Sequence, residues 1–285
     1  MHPQLECLIC LLEQGLRCAR RTLPDQPDKH EELVRAWSAE LATLDMRQTV
    51  PHWAGHLYPL GAEILGVLDP FAEAKREANE QVMSILPALR TQIRSHGNPL
   101  HAALNVSIIG NYIDLGVKLS FDWRQALSDE TDMAFLEKAY GPFFKKLQPG
   151  ARLLILGDNA GEIGLDTILV ELLHERGVNV TYAVRSAPIL NDALLEDARF
   201  VGMDRLCTIM PSGSRTCGTI LEQGTAEFLD AYAGADVVLS KGQGNFESLY
   251  NRAGRSIFFA FKAKCDVICR LLDCSLGNSM FLYQK

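Results

Sequence analysis

The chain has 285 residues, 47% hydrophobic and 22% charged, with a formal net charge of −7. This is the composition of a globular protein that can bury a substantial core, and the negative balance disfavours nonspecific nucleic-acid binding. No apolar run approaches the roughly 18 residues of a membrane span, and the opening residues lack the basic-then-apolar pattern of an export signal, so a cytoplasmic protein is expected.

Residues 1–150 read as helical. Leu5, Leu8, Ile9, Leu12 and Leu16 make a stripe at helical spacing. Residues 22–28 form a Pro/Asp break, and 31–44 resume the helical period. Pro51, Gly55 and Pro59 interrupt it before 62–68 and 71–89 take it up again. Residues 96–99 read as a turn, 104–115 as another apolar stretch and 135–147 as a further helix. Pro149 and Gly150 then mark a junction.

Beyond that junction the rhythm changes to strand, loop and helix. Strands are expected at 153–156, 180–184, 207–210, 237–239 and 257–261. The segments between them are long enough for crossover helices, which implies a mainly parallel sheet covered on both faces. The expected organisation is a helical N-terminal region, 1–150, followed by an α/β domain, 151–285.

Three strand ends carry side chains suited to chemistry. The first is GDNAGE at 157–162, where Asp158 and Asn159 offer hard oxygen donors for a magnesium- or manganese-like ion. A helix N-cap explains those two residues equally well. The second is RSAPILND at 185–192, which brings Asp192 to the same sheet edge and includes Arg185, a candidate anion contact for which a solvated surface arginine is the default reading. A turn whose Asn191 or Asp192 caps the next helix is the competing reading. The third is SKGQGNFE at 240–247. Gly242 and Gly244 let backbone amides approach an anion, and Lys241 adds a point charge. Its spacing is not that of a Walker loop.

GDNAGE, the Asn191–Asp192 segment and SKGQGNFE together resemble the metal-dependent damage-control phosphatase family. That family was long catalogued as a domain of unknown function, and some members were described as acidic-residue methyltransferases. GNYIDLG at 110–116, the Lys264–Cys265 pair and the opening CLIC are similar to its prokaryotic subgroup. The resemblance implies a Rossmann-like three-layer α/β/α domain with a helical N-terminal part. It also implies phosphate-ester hydrolysis on small phosphorylated metabolites with magnesium, manganese, cobalt or nickel. By the same resemblance Asp158, Asn159 and Asp192 hold the metal, Asp158 and Lys241 serve catalysis, and Lys241 binds substrate with Asn245. Asn111 and Asp114 match an Asn-x-x-Asp that completes the pocket, although both read equally well as helix-terminal polar residues. S-adenosylmethionine-dependent methyl transfer and a noncatalytic metal- or nucleotide-binding module are the alternatives. Substrate identity, physiological metal, oligomeric state and the choice between water attack and a phosphoenzyme stay open.

Other signals are read as structural. The eight cysteines are Cys7, Cys10, Cys18, Cys207, Cys217, Cys265, Cys269 and Cys274, and reduced thiols are expected. Cys7 and Cys10 form a lone CxxC and are expected in the core. Cys265, Cys269 and Cys274 are expected to pack on one helix face. His52 and His56 lack the HExxH glutamate, and Pro51 and Gly55 argue against a regular helix there. Ser212, Gly213 and Ser214 read as a simple loop.

Overall fold

The structure, a computed structural model, describes residues 1–110 and 133–285. The apolar run RLLIL forms β1, Arg152–Leu156, at the centre of the sheet. Its side chains alternate between two cores: Leu153 and Ile155 enter one, Leu154 and Leu156 the other. That is the signature of a strand covered on both faces. Around it lie β2 (Asn179–Val184), β3 (Thr208–Pro211), β4 (Val237–Lys241), β5 (Ile257–Lys262) and β6 (Ser279–Gln284). The order is β3-β2-β1-β4-β5-β6, with β5–β6 antiparallel and every other pair parallel. The sequence reading did not name β6.

Register then places the site. Leu156 is level with Ala183 of β2 and with Ser240 of β4. The chain builds outward from β1 in one direction and then returns to build outward in the other. A crevice therefore opens at the carboxyl ends of β1 and β4, where open α/β sheets bind ligands.

Helices α4 (Ala72–Ser95), α5 (Pro99–Ile109), α6 (Met133–Lys146) and α7 (Glu162–Glu175) share the first core with the sheet. The helices α8 (Leu195–Phe200), α9 (Ala226–Gly234), α10 (Gln243–Leu249) and α11 (Asp266–Leu272) connect the later strands. Phe228 and Tyr232 of α9 and Phe246 and Leu249 of α10 fill the second core. A third cluster, built on Trp37, Trp53 and Leu57, joins α1 (Leu5–Thr22), α2 (Pro27–Leu41) and α3 (Val50–Leu65), and it also takes in Ile189 from the loop after β2. Among the described residues strands begin only after residue 150, yet α4 to α6 belong to the sheet's own core rather than to a separate helical one.

One expectation is corrected here. The interruption at Pro51, Gly55 and Pro59 is instead a single helix, α3. Pro51 occupies the first turn, where its missing N–H costs no hydrogen bond, and Thr49 caps it by accepting from His52 N at 3.4 Å. His52 and His56 therefore stand one turn apart, with ring centroids 5.3 Å apart.

Candidate active site

β1 ends in a turn that only glycine fits, because a Cβ at Gly157 would overlap the Tyr182 ring. Asp158 and Asn159 follow, and the loop after β2 returns beside them. Asn159 and Asp192 form an isolated antiparallel bridge. Ala160 N donates to Asn191 O at 2.9 Å and Ala193 N to Asp158 O at 2.7 Å. Backbone pairing thus holds Asp158, Asn159 and Asp192 together, and all three line one cavity of about 840 Å³. The loop after β4 completes the floor: Gly242 has φ +81°, and a Cβ there would overlap the Asp158 carboxylate.

Electrostatics in this corner are set by burial. Asp192 is 2% exposed. Burial pushes its carboxyl up to about 7; the Arg185 guanidinium opposes the rise and the Asp158 carboxylate adds to it. Arg185 Nε donates to Asp192 Oδ2 at 2.6 Å, and another guanidinium nitrogen lies 3.7 Å from Asp158 Oδ1. One internal cation therefore serves two buried acids.

The residues present fit a divalent cation. Two carboxylates and an amide, crowded by the backbone bridge, are hard oxygen donors, and one guanidinium leaves the two acids able to take more positive charge. Among the described residues no group of three or more His, Cys, Asp or Glu side chains is arranged to hold a metal. The candidate set accordingly depends on Asn159.

Three residues expected at the substrate lie elsewhere. Lys241 is fully buried and does not line the cavity. Its Nζ donates to Glu162 Oε1 at 2.5 Å, to Asp166 Oδ1 at 2.8 Å and to Ser107 O at 3.1 Å. The reason is strand parity: Val237 and Leu239 face the core under α5 and α7, and Lys241 continues that face. Burial lowers its pKa, but the Asp166 and Glu162 carboxylates outweigh burial and leave it raised. Asn245 donates to Lys241 O at 2.7 Å and Gly157 O at 3.1 Å, and accepts from Thr219 at 2.8 Å and Arg185 at 3.1 Å. Both Asn245 and Arg185 are buried behind the cavity wall. In this arrangement Lys241, Asn245 and Arg185 brace the floor instead of facing a ligand. Asn111 and Asp114 lie outside the described residues.

Two acids escaped the sequence reading. Glu162 and Asp166 stand one turn apart on α7 and converge on Lys241, and Asp166 also accepts from Ser107 Oγ at 2.5 Å and Tyr182 OH at 2.6 Å. Burial pushes the Glu162 carboxyl up to about 8, against Lys241 and with Asp158 and Asp166. The i, i+4 pair of acids in the apolar first half of the helix was the available signal.

The cavity's other wall comes from α1 and the segment after β5. Arg17, Arg21 and Lys264 line it, exposed and without an ion pair among the described residues, whereas Arg270 in the same wall pairs with Glu6 at 2.7 Å. One cysteine expectation, that for Cys10, needs correcting too. Cys10 is exposed and lines the cavity, whereas Cys7 and Cys265 are half-buried and line it while also packing against the third and second cores. Cys7 and Cys10 lie there because the α1 face that carries them turns toward the crevice, and Cys265 because it stands at the start of α11, in the segment after β5. Cys269 and Cys274 are half-buried against the second core.

Residues 4–280 match the sequence profile of the damage-control phosphatase ARMT1-like domain. A damage-control phosphatase of Pyrococcus horikoshii is 31% identical over 292 residues, covering 100% of this chain and 99% of its own. A damage-control phosphatase of Archaeoglobus fulgidus is 32% identical over 232 residues, 80% of each chain. The crystal structure of a DUF89 family protein from Pyrococcus horikoshii superposes with a TM-score of 0.86 at 28% identity, covering 100% of both chains. The chain belongs to the damage-control phosphatase ARMT1-like domain family.

Proposed function

We propose that this protein is a phosphatase for small phosphorylated metabolites that works with a divalent cation held by Asp158, Asn159 and Asp192. The observation that carries the reading is the Asn159–Asp192 bridge at the sheet's switch point, which brings the three oxygen donors into one cavity with Arg17, Arg21 and Lys264, cations that form no ion pair among the described residues. Both named relatives are phosphatases, so methyl transfer is not favoured. Magnesium, manganese, cobalt and nickel all suit such a donor set.

When bound, the cation supplies Lewis-acid polarisation of a phosphoryl oxygen and acidifies water. The chain's own residues position and neutralise. Lys264 lies within electrostatic reach of Asp192 and offers its ammonium to a phosphate. Arg17 and Arg21, one turn apart on α1, offer guanidinium groups to further anionic oxygens. Arg185 holds the Asp158 and Asp192 carboxylates in place from behind, so that little rearrangement is needed as charge develops.

The test is hydrolysis of p-nitrophenyl phosphate and a phosphosugar panel by the full chain, with and without added magnesium, manganese, cobalt or nickel. Asp158→Ala is expected to abolish cation-stimulated release of phosphate while the circular-dichroism spectrum is retained. Wild-type rates in that variant would refute the assignment.

A further inference from the structure

Behind the candidate cation site runs a buried chain of side chains that none of the foregoing uses. Gly161 N donates to Asn79 Oδ1 at 2.7 Å, and Asn79 Nδ2 donates to Asp197 Oδ1 at 2.8 Å. Leu194 N in turn donates to the other oxygen, Asp197 Oδ2, at 2.9 Å. Asn79 is 2% exposed and Asp197 6%. Lys75, one turn before Asn79 on α4, balances the acid from 3.8 Å and pairs with Asp69 at 2.7 Å.

The two amides at the ends of this chain are not arbitrary. Gly161 lies two residues after Asn159, and Leu194 lies two residues after Asp192. Each is the point where a loop bearing a candidate ligand enters its following helix, α7 or α8. At the front the loops are joined by the backbone bridge; at the back they are joined through Asn79 and Asp197 to one 24-residue helix. Gly161 has φ +77°, and the Cβ position there lies 3.1 Å from Ala78 Cβ, so the loop is pressed onto α4 as well as bonded to it.

Helix capping alone does not account for this arrangement. The Leu194–Asp197 bond would cap α8 without Asn79. A buried asparagine inside a helix is a poor choice for stability, since its amide must be fully partnered to offset desolvation. What it does here is fix the spacing of two loops.

We infer that Asn79 and Asp197 are positioning residues for the cation site, setting the separation of Asn159 and Asp192 through the amides of Gly161 and Leu194. The inference rests on the cation-site reading proposed above. Partners that orient ligands in this way typically change metal affinity by about 10–100-fold when removed.

The experiment titrates the full chain with Mn²⁺ by calorimetry and with Co²⁺ by visible absorption, alongside metal-free thermal melting. Asn79→Ala and the milder Asn79→Ser are compared with Asp197→Asn and with Leu86→Ala, a buried residue of the same helix remote from both loops. Expected is a loss of Mn²⁺ affinity of about 10-fold or more in the Asn79 and Asp197 variants, with an altered Co²⁺ spectrum. Leu86→Ala should melt at lower temperature with unchanged affinity and spectrum. Wild-type Kd and spectrum in folded Asn79→Ser and Asp197→Asn would overturn the inference. Failure of the wild-type chain to bind either ion would instead overturn the cation reading on which it rests.

Discussion

Arg185 donates to Asp192 at 2.6 Å while reaching to within 3.7 Å of Asp158, so a single buried guanidinium spans the two acids of the candidate cation site. It is both a brace and a competitor. Removing one partner of a buried ion pair typically costs about 3–5 kcal/mol, because the other charge is left uncompensated. Arg185→Met should therefore lower the melting temperature of metal-free protein. Added Mn²⁺ should raise it more than in wild type, since the freed carboxylates gain more from the ion. Equal Mn²⁺-induced shifts in the two proteins, read by scanning calorimetry, would show that Arg185 does not share the site's charge.

Lys241 and Lys264 separate a braced floor from a ligand-facing wall. Lys241→Met strands Glu162 and Asp166 in the core and should cost about 3–5 kcal/mol of stability, measured by denaturant unfolding. Lys264→Ala removes an exposed side chain and should leave stability within about 0.5 kcal/mol, while raising KM for a phosphate ester severalfold. The reverse pattern, an undisturbed fold in Lys241→Met with a raised KM, would restore Lys241 to the substrate.

Gly242 is needed for space as well as for its φ of +81°. Gly242→Ala places a methyl group where the Asp158 carboxylate lies, so the carboxylate must move or the loop must open. The expected result is a stability loss of more than about 1 kcal/mol together with weaker Mn²⁺ binding. Gly254→Ala, with φ +67° but open space around it, should cost stability alone. Calorimetry on both variants distinguishes strain from collision.

Glu247 lines the same cavity, and burial pushes its carboxyl up from 4.5 to about 7, with the Gln243 hydrogen bond opposing. The folded state thus holds a proton that the unfolded chain releases near 4.5. Stability from this group is present below that pH, falls as pH rises through 4.5 to 7, and is gone above it. At about 1.4 kcal/mol per unit the loss is about 3 kcal/mol at most. Glu247→Gln should flatten the wild-type decline in melting temperature between pH 5 and 8, and an unchanged slope would refute the shift.

Much of the chain's organisation could be read before folding. Leu153 to Leu156 form an apolar run of the length of a strand buried on both faces, and the glycines at 157 and 242 stand where the structure has backbone pressed against Tyr182 and Asp158. The meeting of Asp158 with Asp192 followed from parallel strands in register. The direction of the Lys241 side chain was not legible because a polar residue at a strand end faces either the rim or the layer beneath it. The acids that decide the matter, Glu162 and Asp166, lie on a helix whose docking no local pattern specifies. Cys10 was misread for a related cause: a helical stripe shows that one face is apolar, not whether each of its residues meets a core or a cavity.

By itself, then, the order of residues determined the five parallel strands, though not β6, together with the turns at their ends and the stock of oxygen donors and cations, because periodicity and steric permission are local properties. Tertiary structure alone decided which charges neutralise one another and which are left facing the cavity. That choice depends on how α4, α7 and α1 pack on the sheet. Asn79, Glu162 and Arg17 belong to those helices, far in sequence from the groups they meet or face across the crevice.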